Sequence, residues 1–149
     1  MDFHLDSLLN LPYVTVFSSY QQAGFIILEL SLLNQGINCP HCLLYTEILH
    51  QTRPILVRDL SRSGQGVYLK VPRRQFYCVT GKKSPTERLT FLEMRRKYTL
   101  RYEEYIYERV KELTVEQVSK NEQLSAEQVK QIFPHVAEQK KKTGEPLNV

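Results

Sequence analysis

Alternation of apolar and polar positions dominates the first half of the chain. Val14-Thr15-Val16-Phe17-Ser18-Ser19 alternates and is rich in β-branched residues. Phe25-Ile26-Ile27-Leu28-Glu29-Leu30 reads as the strand that returns after a turn at Gln21-Gln22-Ala23-Gly24. Such a hairpin needs a surface to pack on, because two strands alone are marginal in water. Asn34-Gln35-Gly36 and Ser63-Gly64-Gln65-Gly66 are turn signals, and strands are expected over 47–51, 55–58 and 67–71. After Pro72 the segment 73–78 continues as an extended basic and aromatic stretch.

From Tyr98 the period changes to that of a helix. Tyr102, Tyr105, Ile106, Val110 and Leu113 fall on one helical face. Thr114 then offers an N-cap, with Gln117 at the capping-box spacing, and a short helix over 115–121 should follow. Ser125 repeats the device with Gln128, and Val129, Ile132, Phe133 and Val136 mark the buried face of the next helix. Two capped helices separated by Glu122-Gln123-Leu124 fit a helix-turn-helix, although an ordinary helical hairpin has the same pattern and the turn lacks glycine. Pro134 has no N–H for the Lys130 carbonyl, so the last helix should kink or stop near Phe133. The Lys140-Lys141-Lys142 and Gly144-Glu145-Pro146 segments read as a solvated tail.

Composition narrows the class. Hydrophobic residues make up 42% of the 149 and charged residues 24%, which suits a globular chain and neither a disordered nor a membrane one. The first residues carry Asp2 and Asp6 where a signal peptide needs bases, and the apolar run from Phe25 to Leu33 is broken by Glu29. A soluble cytoplasmic protein without membrane contact is the expectation. The net charge of +4 is unevenly spread: residues 1–60 hold two bases and five acids, residues 61–149 eighteen and eleven. Between Lys70 and Lys97, Arg73, Arg74, Arg95, Arg96 and Lys97 belong to a cluster of nine bases opposed by Glu87 and Glu93 alone. A polyanion partner explains that asymmetry, and a solubilising surface is the plainer alternative.

Three cysteines, an odd number, argue against a disulfide scaffold. Cys39-Pro40-His41-Cys42 has the spacing at which two thiolates bend around one tetrahedral metal. Cys78 opens a second, partial knuckle, but the position three residues on is Gly81, so zinc would find three thiolates and one gap. His50 is a candidate substitute for the fourth ligand. The alternative is that the cysteines are small buried hydrophobes. Thioredoxin-like redox chemistry would need a βαβ setting that the pattern lacks. In a helix-turn-helix the start of the second helix meets base edges, which makes Gln128, Lys130 and Gln131 the outward candidates, beside Glu127.

The order of motifs is specific. Cys39-Pro40-His41-Cys42 is followed by Arg53-Pro54-Ile55-Leu56-Val57-Arg58-Asp59-Leu60. Val67-Tyr68-Leu69-Lys70-Val71-Pro72-Arg73-Arg74-Gln75-Phe76-Tyr77-Cys78, Thr86-Glu87-Arg88-Leu89 and Arg95-Arg96-Lys97-Tyr98-Thr99 come after it. This closely resembles the N-terminal part of bacterial insertion-sequence transposases of the ISL-three type, over nearly the whole chain. The resemblance implies a Cys-rich zinc finger with Cys39, Cys42 and Cys78 as three of its four ligands, and a helix-turn-helix at about 114–136. The large catalytic domain that follows in the family is expected to be missing here, as in a truncated copy. Double-stranded DNA at the element's terminal repeats is the implied partner, and the competing readings are a module that pairs with a full-length transposase or a remnant without a role. A DNA-binding fragment rather than an enzyme is expected. Its fold class would be α+β: an N-terminal β-hairpin (1–36), a zinc-ribbon-like β module with a basic segment (37–97), a three-helix helix-turn-helix (98–140) and a tail (141–149).

Overall fold

The computed structural model describes residues 3–144. In chain order the elements are α1 (Phe3–Leu9), β1 (Val14–Gln22), β2 (Phe25–Leu32), β3 (Ile37–Asn38), β4 (Tyr45–Thr46), β5 (Leu49–Arg62), β6 (Gln65–Phe76), α2 (Leu100–Glu112), α3 (Val115–Glu122) and α4 (Ala126–Lys142). The class is α+β, strands first and helices last.

Two long hairpins share one sheet in the order β1-β2-β6-β5. Each turns through two residues at positive φ, Ala23 and Gly24 in one, Ser63 and Gly64 in the other. That geometry matches the twist of the flanking strands and lets both strands run right up to the turn. Gln21 and Gln22 are therefore strand rather than turn, as are Gln65 and Gly66. The hairpins join through a parallel β2–β6 pairing, from Ile26↔Val67 to Glu29↔Lys70. The hairpin of β1 and β2 thus contributes half of a sheet whose other half, β5 and β6, belongs to the module expected over 37–97, and the sheet itself supplies the packing partner the first hairpin needs.

Pro54 and Pro72 do not interrupt their strands; they face each other in register. β5 is an edge strand, and β2 pairs with β6 only as far as Lys70, so neither proline withholds a bond from a third strand. The segments expected over 47–51 and 55–58 are one strand that starts at Leu49, and β6 continues through Pro72 to Phe76. Val16, Leu30, Val57, Val67, Leu69 and Val71 form the core on one face of the sheet, closed by Leu9 of α1 and by Phe91 and Leu92. The α1 helix has no counterpart in the sequence reading; at seven residues it is too short to establish a period.

The helical region has a second core of Tyr102, Ile106, Tyr107, Val118, Val129 and Ile132. On α2 the buried face includes Tyr107, stacked on Phe133 at 4.9 Å, while Tyr105 is left partly exposed. The expected turn begins one residue late: Glu122 still belongs to α3 and is buried. Gln123 takes the left-handed conformation (φ 56) that a glycine would otherwise supply. The last helix neither stops nor breaks at Pro134 but runs on to Lys142. Pro134 and Lys130 both lie on its exposed face, open to solvent, and contacts before and after Pro134 hold the helix to α2. Lys140 is accordingly no solvated tail residue. Its ammonium sits 2.8 Å from Glu104 and over the Tyr107 ring. The tail positions Glu145 and Pro146 lie outside the described residues.

A buried polar joint docks these helices onto the sheet. Arg58 of β5 is 1% exposed, with its guanidinium within 5.1–5.6 Å of the Phe25, Tyr68 and Tyr102 rings. Its Nη2 donates to the Glu122 carbonyl at 2.9 Å, and the Glu122 carboxylate accepts from the Tyr102 hydroxyl at 2.9 Å. A side chain at Gly66 would collide with Phe25 and the Arg58 guanidinium, so the joint needs a glycine there. Next to it, Asp59 accepts from Thr99, the N-cap of α2, and from both ends of the Arg101 guanidinium at 2.6–2.8 Å.

Candidate functional site

The three cysteines converge. The Sγ atoms of Cys39, Cys42 and Cys78 all lie within 4.8 Å of one another, and Cys42 and Cys78 approach to 3.2 Å. Two similar knuckles bring them there. In the first, the Cys39 amide donates to the Leu44 carbonyl and Leu43 takes a left-handed φ of 63. In the second, the Cys78 amide donates to the Lys83 carbonyl and Lys82 takes a left-handed φ of 51. The knuckles are tied together by Thr46 Oγ1 donating to the Tyr77 carbonyl and by the Tyr77 amide donating to that of Ile48. Gly81 occupies in the second knuckle the place Cys42 has in the first. Its amide donates to Cys78 Sγ at 3.4 Å, and a Cβ built there would sit 3.6 Å from that sulfur, an ordinary contact.

The donor set fits a thiophilic cation, with Cys39, Cys42 and Cys78 as the residues that would hold it. Backbone amides of Cys42 and His41 pull the Cys39 thiol down to about 7, which favours the thiolate a metal needs. Cys42 is held above the ordinary thiol value: the Leu44 amide, the largest influence, pulls it down, but Cys78, burial and Cys39 together outweigh it. His50 does not complete the set. It is exposed in β5 and stands outside the cluster, because the strand carries it away from the knuckles. The ribbon therefore offers three thiolates and an incomplete zinc site.

Both helix starts carry the full reciprocal cap. The Thr114 hydroxyl accepts from the Gln117 amide while Gln117 Oε1 accepts from the Thr114 amide, and Ser125 and Gln128 do the same. This sets the direction of α4 and leaves Glu127, Gln128, Lys130 and Gln131 exposed on one side of its first turns. Gln128 is thereby partly committed, since its acceptor oxygen already serves the cap.

Beside that helix start lies a cleft of about 610 Å³. Arg73, Arg95, Arg96, Lys97 and Gln128, named from the sequence, all line it, and Arg53, which was not, joins them. Arg53 and Arg73 are cross-strand partners, a register that only the folded sheet reveals. Not every base is available. Arg74 points away into an internal pair with Glu87, bonded through Nε and Nη2 at 2.8 Å, with side chains only 14% and 4% exposed. Arg96 is bonded to the buried Glu103 at 2.9 Å. The two acids that seemed outnumbered in this segment are likewise occupied, Glu87 by Arg74 and Glu93 by His135 at 2.6 Å. On the tyrosine-rich helix, Tyr102 and Tyr107 are buried in its own core and Tyr105 is exposed.

A pair of sulfur knuckles, a doubly capped helix-turn-helix and a basic cleft leading to its second helix define a DNA-binding module of the zinc-ribbon and helix-turn-helix kind. Comparison with known families agrees. Residues 35–80 match the zinc-finger of transposase IS204/IS1001/IS1096/IS1165, and residues 87–137 match the helix-turn-helix domain of transposase family ISL3. Through these two regions the chain belongs to the ISL3 transposase family. No curated protein and no solved structure matches it. Among the described residues, no helix is long and apolar enough to cross a membrane.

Proposed function

We propose that this chain binds double-stranded DNA at the terminal repeats of an insertion sequence and does not itself cut it. The observation that carries the reading is the convergence of Arg53, Arg73, Arg95, Lys97 and Gln128 on one cleft at the start of α4. Those cations would hold backbone phosphates and fix the register, and the exposed side of α4 would meet base edges. Arg74 and Arg96 would act through the pairs they make, by positioning the segments that carry the free cations. Gln131 is a better bidentate reader of adenine than Gln128, whose oxygen is engaged by the cap. Among the described residues the only converging group of three potential metal ligands is the cysteine trio. The buried acids Asp59, Glu87, Glu103 and Glu122 are each tied to an arginine. Two-metal strand cleavage needs carboxylates free to hold both ions.

A salt titration of binding to element-end and scrambled duplexes tests the proposal. Affinity should fall steeply with salt, and Arg73→Ala with Lys97→Ala should flatten the slope by roughly one unit per lost phosphate contact. Gln131→Ala should instead erode the preference for the element end by about 1–3 kcal/mol. A salt-insensitive affinity, or a double variant that binds like the parent, would overturn it. So would cleavage of either duplex by the pure chain with magnesium.

A further inference from the structure

The cleft beside α4 contains more than a phosphate grip requires. Duplex phosphates need only cations and amides on an accessible surface. This cleft is concave, and within its basic rim lie Ile55, Leu56, Tyr68 and Tyr98. Cations around aromatic faces make up the sites that hold unpaired nucleotides, where phosphate rests on charge and the base stacks on a ring.

Two further observations ask for a ligand. Arg53 and Arg73 oppose each other directly across β5 and β6, and like charges in that register repel. Burial, and then the charge of Arg53, pull the Arg73 guanidinium below its ordinary range, and its Nη1 is buried without a hydrogen-bond partner. Deeper in the same wall, Arg58 is 1% exposed, yet its Nε and Nη1 also have no partner. Buried donors are nearly always paired in folded proteins, so three unpaired arginine nitrogens in the walls of one cleft mark where an acceptor belongs.

We infer that the cleft receives one unpaired nucleotide of the DNA, its phosphate between Arg53 and Arg73, its base against Tyr98 and Tyr68, and an oxygen acceptor toward Arg58. The inference rests on the reading of α4 as the DNA-facing helix. Gln128 belongs to both the first turn of α4 and the cleft wall, so the nucleotide would leave the duplex beside the bases that α4 meets. The phosphate relieves the Arg53–Arg73 repulsion, and the ring supplies stacking that is indifferent to base identity.

The test compares the full chain on three probes: a blunt duplex, the same duplex with a single-stranded overhang, and the single strand alone. A fluorescent adenine analogue is placed in the unpaired segment. The overhang duplex should bind about tenfold tighter than the blunt one, with a clear change in analogue emission on binding. Tyr98→Leu should abolish the overhang preference and the emission change, whereas Tyr98→Phe should keep them; both lose the hydroxyl that bonds Gln128, so the pair isolates the ring. Equal affinity for blunt and overhang duplexes with unchanged emission overturns the inference and leaves the proposed function standing. Absence of binding to any probe at low salt removes both. Retention of the overhang preference by Tyr98→Leu overturns the stacking site. The comparison of probes on the unaltered protein decides the matter even if that variant fails to fold.

Discussion

The ribbon and the helix-turn-helix are neighbours of similar length held together by different means. The helical region buries a contiguous apolar core and closes its helix starts with caps. It is fixed to the sheet by Arg58 and Asp59. In the ribbon, β5 and β6 share the core of the sheet, but at the cysteine end β3 and β4 pair at only two positions, and Leu43, Leu44, Tyr45 and Val79 are all more than half exposed. So few residues cannot exclude enough water to be stable by burial, and small modules of this kind take their folding energy from a metal. The difference shows where sequence change is tolerated. In the helices one lost contact is shared among many neighbours, whereas in the ribbon one ligand is a quarter of the cross-link.

The comparison breaks first at Arg58. Arg58→Ala removes the cation from a cage of three rings and leaves the Glu122 carboxylate buried beside a void. A loss of about 3–5 kcal/mol is expected in urea unfolding, because one partner of a buried pair is left uncompensated. A loss near zero would mean that the helices stand without the sheet. Next is Gly81→Cys. With zinc present it should stabilise the ribbon by about 3 kcal/mol, one ligand's share of the roughly 10–16 kcal/mol of a four-ligand structural site. Chelator should reverse the gain. In the unaltered protein chelator should shift amide resonances around Cys39, Cys42 and Cys78 and leave those of α2 to α4 in place. Uniform shifts across both regions would show that the helices also depend on the metal.

Acid should probe the joint in the opposite sense. Burial alone would raise the Asp59 carboxyl, but the hydrogen bonds and charge of Arg101, with the Leu60 amide and Thr99 hydroxyl, outweigh it and hold the group below the ordinary carboxylate range. A depressed carboxyl stabilises the fold fully above its unfolded pKa of about 3.9 and loses that contribution as pH falls through the lower folded value. The urea midpoint should therefore keep the full Asp59 contribution, unchanged, between neutrality and about pH 4, and decline below it. Asp59→Asn should lose that part of the decline. The smallest effect belongs to the cap: Ser125→Ala should cost about 1 kcal/mol, read as faster amide exchange in the first turn of α4.

What could be read in the sequence was local. Ser125 and Gln128 lie three residues apart and declare a helix start, and Cys39 and Cys42 declare a knuckle. Arg58 and Glu122 are 64 residues apart, and Asp59 and Arg101 are 42 apart, so nothing in either neighbourhood announces the joint. The parallel β2–β6 pairing is hidden for the same reason. Arg74 looked like a phosphate ligand because its partner Glu87 stands beyond the end of its strand. Arg53 was passed over because only the register places it opposite Arg73. Pro134 shows a local rule overruled, since the Tyr107–Phe133 stack and the Lys140–Glu104 pair hold the helix on either side of it.

The second knuckle keeps its bend, its Cys78–Lys83 bond and its left-handed Lys82 although the ligand position holds Gly81. The backbone shape that a fourth ligand would use is present without the side chain. Glycine and cysteine codons can differ by a single base, and the Gly81 backbone lies outside the left-handed region, so a cysteine there meets neither a clash nor strain. A single Gly81→Cys substitution would therefore give the two knuckles four thiols, and where the glycine codon is GGT or GGC one base change makes it.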